Sequence, residues 1–191
     1  MGYSTWFDGS FRFNKPVDDK LKNYIKKFHD VRHMRRDVEK IKEVFPDWER
    51  NCLNGDLGDE GEFFVGGIGF MGQDRDDSIL DYNYAPKTQP GLWCQWEITE
   101  DGTELVWDEG EKFYHYIEWL QYMINNFFNP AGYILNGEVT WNGEDDDDLG
   151  VIIVEDNNVI VEYGIHVPTP RDISSDIIIK EVLRRGYHVV L

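Results

Sequence analysis

Leu92-Trp93-Cys94-Gln95-Trp96-Glu97-Ile98-Thr99, followed by Asp101-Gly102 and Leu105-Val106-Trp107, is the stretch that decides the fold. Alternate side chains of a strand point to opposite faces, so Leu92, Cys94, Trp96 and Ile98 share one face and Trp93, Gln95, Glu97 and Thr99 the other. Asp101-Gly102 reads as a two-residue hairpin turn, because both positions tolerate positive φ. With that turn Trp96 faces Trp107 and Ile98 faces Leu105, and register agrees with hydrophobic pattern.

Working outward, Tyr3, Thr5 and Phe7 begin a first strand that Phe11 and Phe13 resume after the turn-like Asp8-Gly9. From Val17 to Phe45 the apolar residues recur at three- and four-residue steps, which predicts one long helix with Pro16 at its start and Pro46 at its end. Lys22, Lys26, Arg32, Arg36 and Lys40 fall on its opposite, solvated side. Residues 49 to 91 are rich in glycine and acids, and only Glu62-Phe63-Phe64-Val65 reads as a short strand. Asp108-Glu109-Gly110-Glu111 reads as a capping box that opens a second helix through Phe127, stopped by Asn129-Pro130. Strands follow at Tyr133 to Asn142, Val151 to Val154 and Val159 to Tyr163, the last two joined around Asp156-Asn157-Asn158.

The order predicts an α+β fold, an antiparallel β-sheet with two main helices packed on one face. Residues 1–164 form a single domain and residues 165–191 a C-terminal extension, with a short helix after Ser174-Ser175 and an apolar end from Tyr187 to Leu191. A chain of 191 residues, 41% hydrophobic, suffices for one core and is too apolar for a disordered tail. Cys52 and Cys94 stand alone, which excludes a disulfide framework and fits a reducing compartment. No apolar run approaches the roughly 18 residues of a membrane span, and no signal peptide opens the chain. A soluble, cytoplasmic protein is expected.

Charge is unevenly spread. Residues 15 to 50 hold 11 bases and 8 acids, whereas residues 51 to 164 hold 3 bases and 25 acids, within a net −18. Such a field repels nucleic acid and anionic membrane and draws in basic partners. Glu144, Asp145, Asp146, Asp147 and Asp148, extended by Asp74, Asp76 and Asp77, are the candidate partner-binding residues: a prong that imitates phosphate spacing or meets an Arg-rich surface. A second candidate, for a small ligand or for acid–base chemistry, is a sheet face presenting Trp93, Gln95 and Glu97 with Asn136, Glu138 and Thr140, covered by Asp81, Tyr82 and Asn83.

Other motifs carry less. Gly67-Ile68-Gly69-Phe70-Met71-Gly72 matches G-x-G-x-x-G, but acids follow where a dinucleotide site needs a helix. The acidic run lacks the alternating ligands and central glycine of a calcium loop. His29 and His33 have i, i+4 spacing without the glutamate of a zinc-protease motif. No nucleophile motif occurs, so no catalytic residue, metal or cofactor is expected.

Three runs, Gln89-Pro90-Gly91-Leu92-Trp93-Cys94-Gln95-Trp96, Gly110-Glu111-Lys112-Phe113-Tyr114 through Glu118-Trp119-Leu120, and Leu135-Asn136-Gly137-Glu138-Val139-Thr140-Trp141 with Gly143-Glu144, together resemble a family of uncharacterised proteins of tailed bacteriophages and prophages, also seen in some large DNA viruses. The resemblance extends from Gly2-Tyr3 through Arg32-His33-Met34-Arg35-Arg36-Asp37 and Asp81-Tyr82-Asn83 to about Tyr163. Where the family commonly has Asp-Gly-Gly, this chain has Asp108-Glu109-Gly110. The resemblance implies a viral accessory role in the host cytoplasm and brings no catalytic residues. Joined to the charge, it leads to an inhibitor that binds a basic host protein of antiviral defence or nucleic-acid metabolism. The rival expectations are a ligand-binding protein or enzyme around Trp93, Gln95 and Glu138, and a virion component.

Overall fold

The computed structural model describes residues 2–164. The chain runs through β1 (Thr5–Phe13), α1 (Asp19–Asp30), β2 (Arg35–Arg36), α2 (Val38–Val44), β3 (Ile79–Asp81), β4 (Trp96–Ile98), β5 (Glu104–Trp107), α3 (Tyr116–Met123), β6 (Leu135–Gly143), β7 (Leu149–Glu155) and β8 (Asn158–Tyr163). Six strands form one antiparallel sheet in the order β4-β5-β1-β6-β7-β8, and β2 and β3 pair separately. The α+β expectation holds. The expected C-terminal helix and apolar end lie outside the described residues.

Alternation sets which sheet face is buried. Phe11, Phe13, Trp96, Leu105, Leu135, Val139, Trp141, Ile152 and Val154 all turn inward and meet Ile25 and Phe28 of α1 and Trp119, Leu120 and Met123 of α3. Trp96, fully buried, donates its indole N–H to the carbonyl of Tyr116 at 2.8 Å, which ties sheet to helix without stranding a polar atom. Beyond Met123 the helix widens into a π turn, Ile124–Phe128, and Asn129 N bonds the carbonyl of Ile124. That extra residue per turn allows consecutive Phe127 and Phe128 both to be buried.

Several expectations need correction. The single helix over 17–45 is two helices. Asp18 caps α1 by accepting from Leu21 N at 3.0 Å, but Val31 is extended and the amides of Arg32, His33, Arg35, Arg36 and Asp37 bond carbonyls of Met71, Leu92, Tyr84, Glu60 and Ser78. Those tertiary hydrogen bonds replace the helical ladder, and Asp37 restarts it by accepting from Glu39 and Lys40 N. Arg36, expected on a solvated side, is 2% exposed. Glu62 to Val65 is a turn and loop, not a strand.

The capping box at Asp108 also fails. Asp108 instead bonds Gly110 N at 2.7 Å and His29, and positive φ at Glu109, Lys112 and His115 keeps the chain out of a helix until Tyr116. Leu92 to Cys94 precede the strand, which begins at Trp96. Trp96↔Trp107 and Ile98↔Leu105 pair as expected. The connection is longer than two residues: Thr99 N bonds Glu104 O, and only Gly102 takes positive φ. Register survives because the longer loop has the same centre. Asp8-Gly9 makes no turn either. β1 runs straight through, and a Cβ on Gly9 would stand 2.4 Å from the carbonyl oxygen of Glu138, so glycine permits the close approach of β6. Asp156-Asn157, both at positive φ, form the turn expected between β7 and β8.

Candidate functional site

The sheet face turned away from the helices carries three exposed acids on neighbouring strands, Asp8, Glu138 and Glu162. In register across β1, β6, β7 and β8, Ser10, Glu138, Ile153 and Ile160 form one row, and Asp8, Thr140, Val151 and Glu162 the next. Trp6, 54% exposed, stands opposite Asn142, which pairs with Leu149. Trp6, Asp8, Thr140, Asn142, Val151 and Glu162 border a shallow depression of about 520 Å³. Apolar Trp6, Val151, Ile153 and Ile160 are thus interleaved with Asp8, Glu138 and Glu162. Arg12 is the one base on this face among the described residues, and Glu104 accepts from its Nε at 2.7 Å. No lysine or arginine occurs between Lys112 and Arg171, so β6, β7 and β8 have none of their own.

The turn between β6 and β7 extends this face. Its acids divide into two kinds. Asp148 accepts from the Tyr3 hydroxyl at 2.7 Å and from Trp141 Nε1 at 3.1 Å, and Glu144 accepts from Ser4 N at 2.8 Å. Those two hold the turn to β1. Asp145, Asp146 and Asp147 are exposed. The expectation that all five meet a partner is corrected for Asp148, whose carboxylate is spent on internal donors.

Asp76 is a second correction. Its carboxylate lies inside the protein, with both oxygens on Nη1 of Arg36 at 3.1 and 2.8 Å and Ser78 bonded beside it. Burial raises its pKa, but the Ser78 and Arg36 hydrogen bonds outweigh this and hold it below the usual carboxylate range. Asp74 and Asp77 are exposed. They belong to the segment leading into β3, and no hydrogen bond or ion pair among the described residues joins them to the turn at Asp145.

The second candidate set is dispersed. Trp93 and Tyr82 come together around Arg32, whose guanidinium lies 5.6 and 4.6 Å from their ring centres, and Arg75 covers Tyr82 at 4.8 Å. Asp81 accepts from Asn83 N to shape that loop. Gln95 is occupied by Glu111 O and Trp107 Nε1. Asn136 bonds Asp156 N, and Thr140 donates to Asp8 O, back on the open sheet face. Glu97 and Glu138 share a sheet, yet β5 and β1 stand between their strands. Three strand spacings separate them by roughly 14 Å, too far to act on one proton.

Two polar clusters were not anticipated. Arg36 and Asp76 are one, and His29 is the other. His29 Nε2 meets Asp108 at 2.8 Å and Nδ1 meets Asp30 at 3.0 Å. Burial lowers its pKa, but the hydrogen bonds that the ring donates to the Asp108 and Asp30 carboxylates prevail and raise it. His33, at the other end of the i, i+4 pair, is buried between Phe28 and Trp119, and burial pushes its pKa down to about 3. Among the described residues no group of three His, Cys, Asp or Glu side chains could hold a metal. Gly67 to Gly72 close on themselves through a 3-10 turn at Phe70–Gly72, with no helix to receive a pyrophosphate. Among the described residues no helix is long and apolar enough to cross a membrane. Searches against family models, curated proteins and solved structures found no match to this chain.

Proposed function

We propose that this chain binds and occludes a basic protein through the outer face of β6, β7 and β8 and the acidic turn between β6 and β7. One observation carries the reading. Carboxylates at Asp8, Glu138, Glu162 and Asp145 to Asp147 surround exposed Trp6 and Ile160 and half-buried Val151 and Ile153, and Arg12, the one base on these strands, is already paired with Glu104. An apolar centre with a rim of one sign suits a partner whose own apolar patch is ringed by lysine and arginine. The resemblance of its tryptophan-rich runs to bacteriophage proteins supports, as part of this proposal, a partner among host components of antiviral defence or nucleic-acid handling in the host cytoplasm. No reacting group is part of this reading.

The test is affinity capture from host extract at about 50 mM and about 300 mM salt, where the screening length falls roughly from 14 to 6 Å. The bait is the full chain beside two variants, Ile153→Lys with Ile160→Lys, and Asp145, Asp146 and Asp147 all replaced by Asn. A basic protein retained by the natural chain at low salt, released at high salt and lost by both variants supports the reading. Equal retention by all three baits overturns it.

A further inference from the structure

Burial stops short at one edge of the sheet. Ile152 and Val154 of β7 are 0% and 1% exposed, yet Val161 and Val159, their register partners on β8, face the same side and are only half-buried. Beside them runs a groove of about 640 Å³, bounded by Val159 and Val161, by Ile117, Gln121 and Tyr122 of α3, and by Pro90. The core is therefore open along β8. At the opposite edge it is closed, and Trp96 of β4 is 0% exposed.

The backbone of β8 is open as well. Gly164 N bonds the carbonyl of Leu149 at 2.7 Å, so in this antiparallel register Asn158, Ile160 and Glu162 turn their N–H and C=O groups toward β7. Val159, Val161 and Tyr163 turn theirs away from the sheet, and those groups have no partner among the described residues. Natural edge strands are blunted by lysine, proline or a bulge. Asn158–Tyr163 has none of the three, since its register with β7 is unbroken and its sequence is Asn-Val-Ile-Val-Glu-Tyr. An unblunted edge beside an apolar groove takes up a further strand, whose backbone pairs with the edge and whose alternate side chains enter the groove.

The occupant is indicated by sequence and charge. Tyr187-His188-Val189-Val190-Leu191, outside the described residues, is a run of aromatic and branched side chains without glycine, proline or a formal charge. Such a run matches an apolar groove and a bare strand edge. Residues 165 to 186 connect it to the end of β8, ample length for it to come back beside that strand. Residues 165 to 191 hold four bases and three acids, so the acidic body of the chain does not repel them. Two copies of a chain of net charge −18 do repel each other, which disfavours pairing of β8 with a second β8.

We infer that the edge of β8 and the groove under α3 are the docking site of the chain's own residues Tyr187 to Leu191, which pair with the outward backbone groups of Val159 and Val161. This site lies at the edge and on the helix side of β8 and is independent of the acidic outer face.

Amide hydrogen exchange, followed residue by residue by NMR on the full chain, tests it. The Val161 amide, at the middle of the free edge, exchanges at least about a hundredfold more slowly than an unstructured amide, equally at about 0.05 and about 0.5 mM protein. Val189→Pro with Val190→Pro removes both backbone donors and speeds Val161 about tenfold or more. The amides of β6 stay as protected as in the natural chain, so loss of fold is excluded as the cause. Unprotected Val161 in the natural chain overturns the proposal. Protection that grows with concentration assigns the edge to a second copy, and protection that survives the two prolines assigns it to another occupant, and either result overturns it too.

Discussion

Arg36 and Asp76 form an ion pair with side chains 3% and 2% exposed, inside a protein whose other acids mostly face water. The guanidinium also lies 5.4 Å from the Phe64 ring centre and 5.8 Å from that of Phe45. The pair fastens β2 and the start of α2 to the segment before β3. Desolvating both ions is costly, so the pair's presence does not by itself stabilise the fold. Removing one partner is another matter.

Asp76→Asn leaves a buried guanidinium without its counter-charge and is expected to cost about 3–5 kcal/mol. Asp77→Asn, one residue away and exposed, is expected to stay within about 0.5 kcal/mol. Urea unfolding of the two variants beside the natural chain checks both values. Because the folded-state pKa of Asp76 is depressed, its contribution is present above the unfolded pKa of about 3.9 and fades as pH falls through the folded value. The stability of Asp76→Asn therefore varies less with pH in the acid range.

His29 titrates with the opposite sign. Its folded pKa is raised by Asp108 and Asp30, so its contribution is complete below the unfolded value of about 6.5 and is lost as pH rises through the folded one. His29→Gln should lower stability by about 1.5–3 kcal/mol at acid-side neutrality and by much less once the natural histidine is neutral. Thermal melts of both chains across that range give the difference. A gap that stays constant with pH would mean that His29 acts by shape alone.

Cys94 is 1% exposed, with Sγ 3.5 Å from Met123 Sδ, and burial pushes its thiol up to about 12. Cys52 is also buried, and burial raises its pKa. Thiolate is the reactive form, so neither should react with a disulfide reagent in the native protein. Both should react in denaturant. Spectrophotometric thiol counting in the two conditions decides it.

The strand pairs were legible because they depend on period two and on turns read locally. Trp96 with Trp107 needs only the alternation on either side of Asp101-Gly102. The insertion of β1 between β5 and β6 was not legible, since it joins Phe11 to both Leu105 and Gly137 across most of the chain. That order is what separates Glu97 from Glu138. The break after Asp30 was hidden for a related reason. Val31 and Met34 remain buried, so the apolar rhythm continues, while the hydrogen bonds that end α1 come from loops distant in sequence. Asp37 before Val38-Glu39-Lys40 is a cap signal that could have divided the helix. For the acidic site, composition located the charge, and alternation placed Glu138 and Thr140 outward. Which aspartates were free required the partners of Asp76 and Asp148, two carboxylates that a string of acids does not distinguish from their neighbours.

The most direct measurement of the sheet-face account is the dissociation constant of the captured partner, taken from about 50 to about 300 mM salt, for the natural chain and for the chain with Asp145, Asp146 and Asp147 replaced by Asn. The account predicts at least about tenfold weakening across that range for the natural chain and a clearly shallower dependence for the variant. Superimposable curves for the two proteins would contradict it.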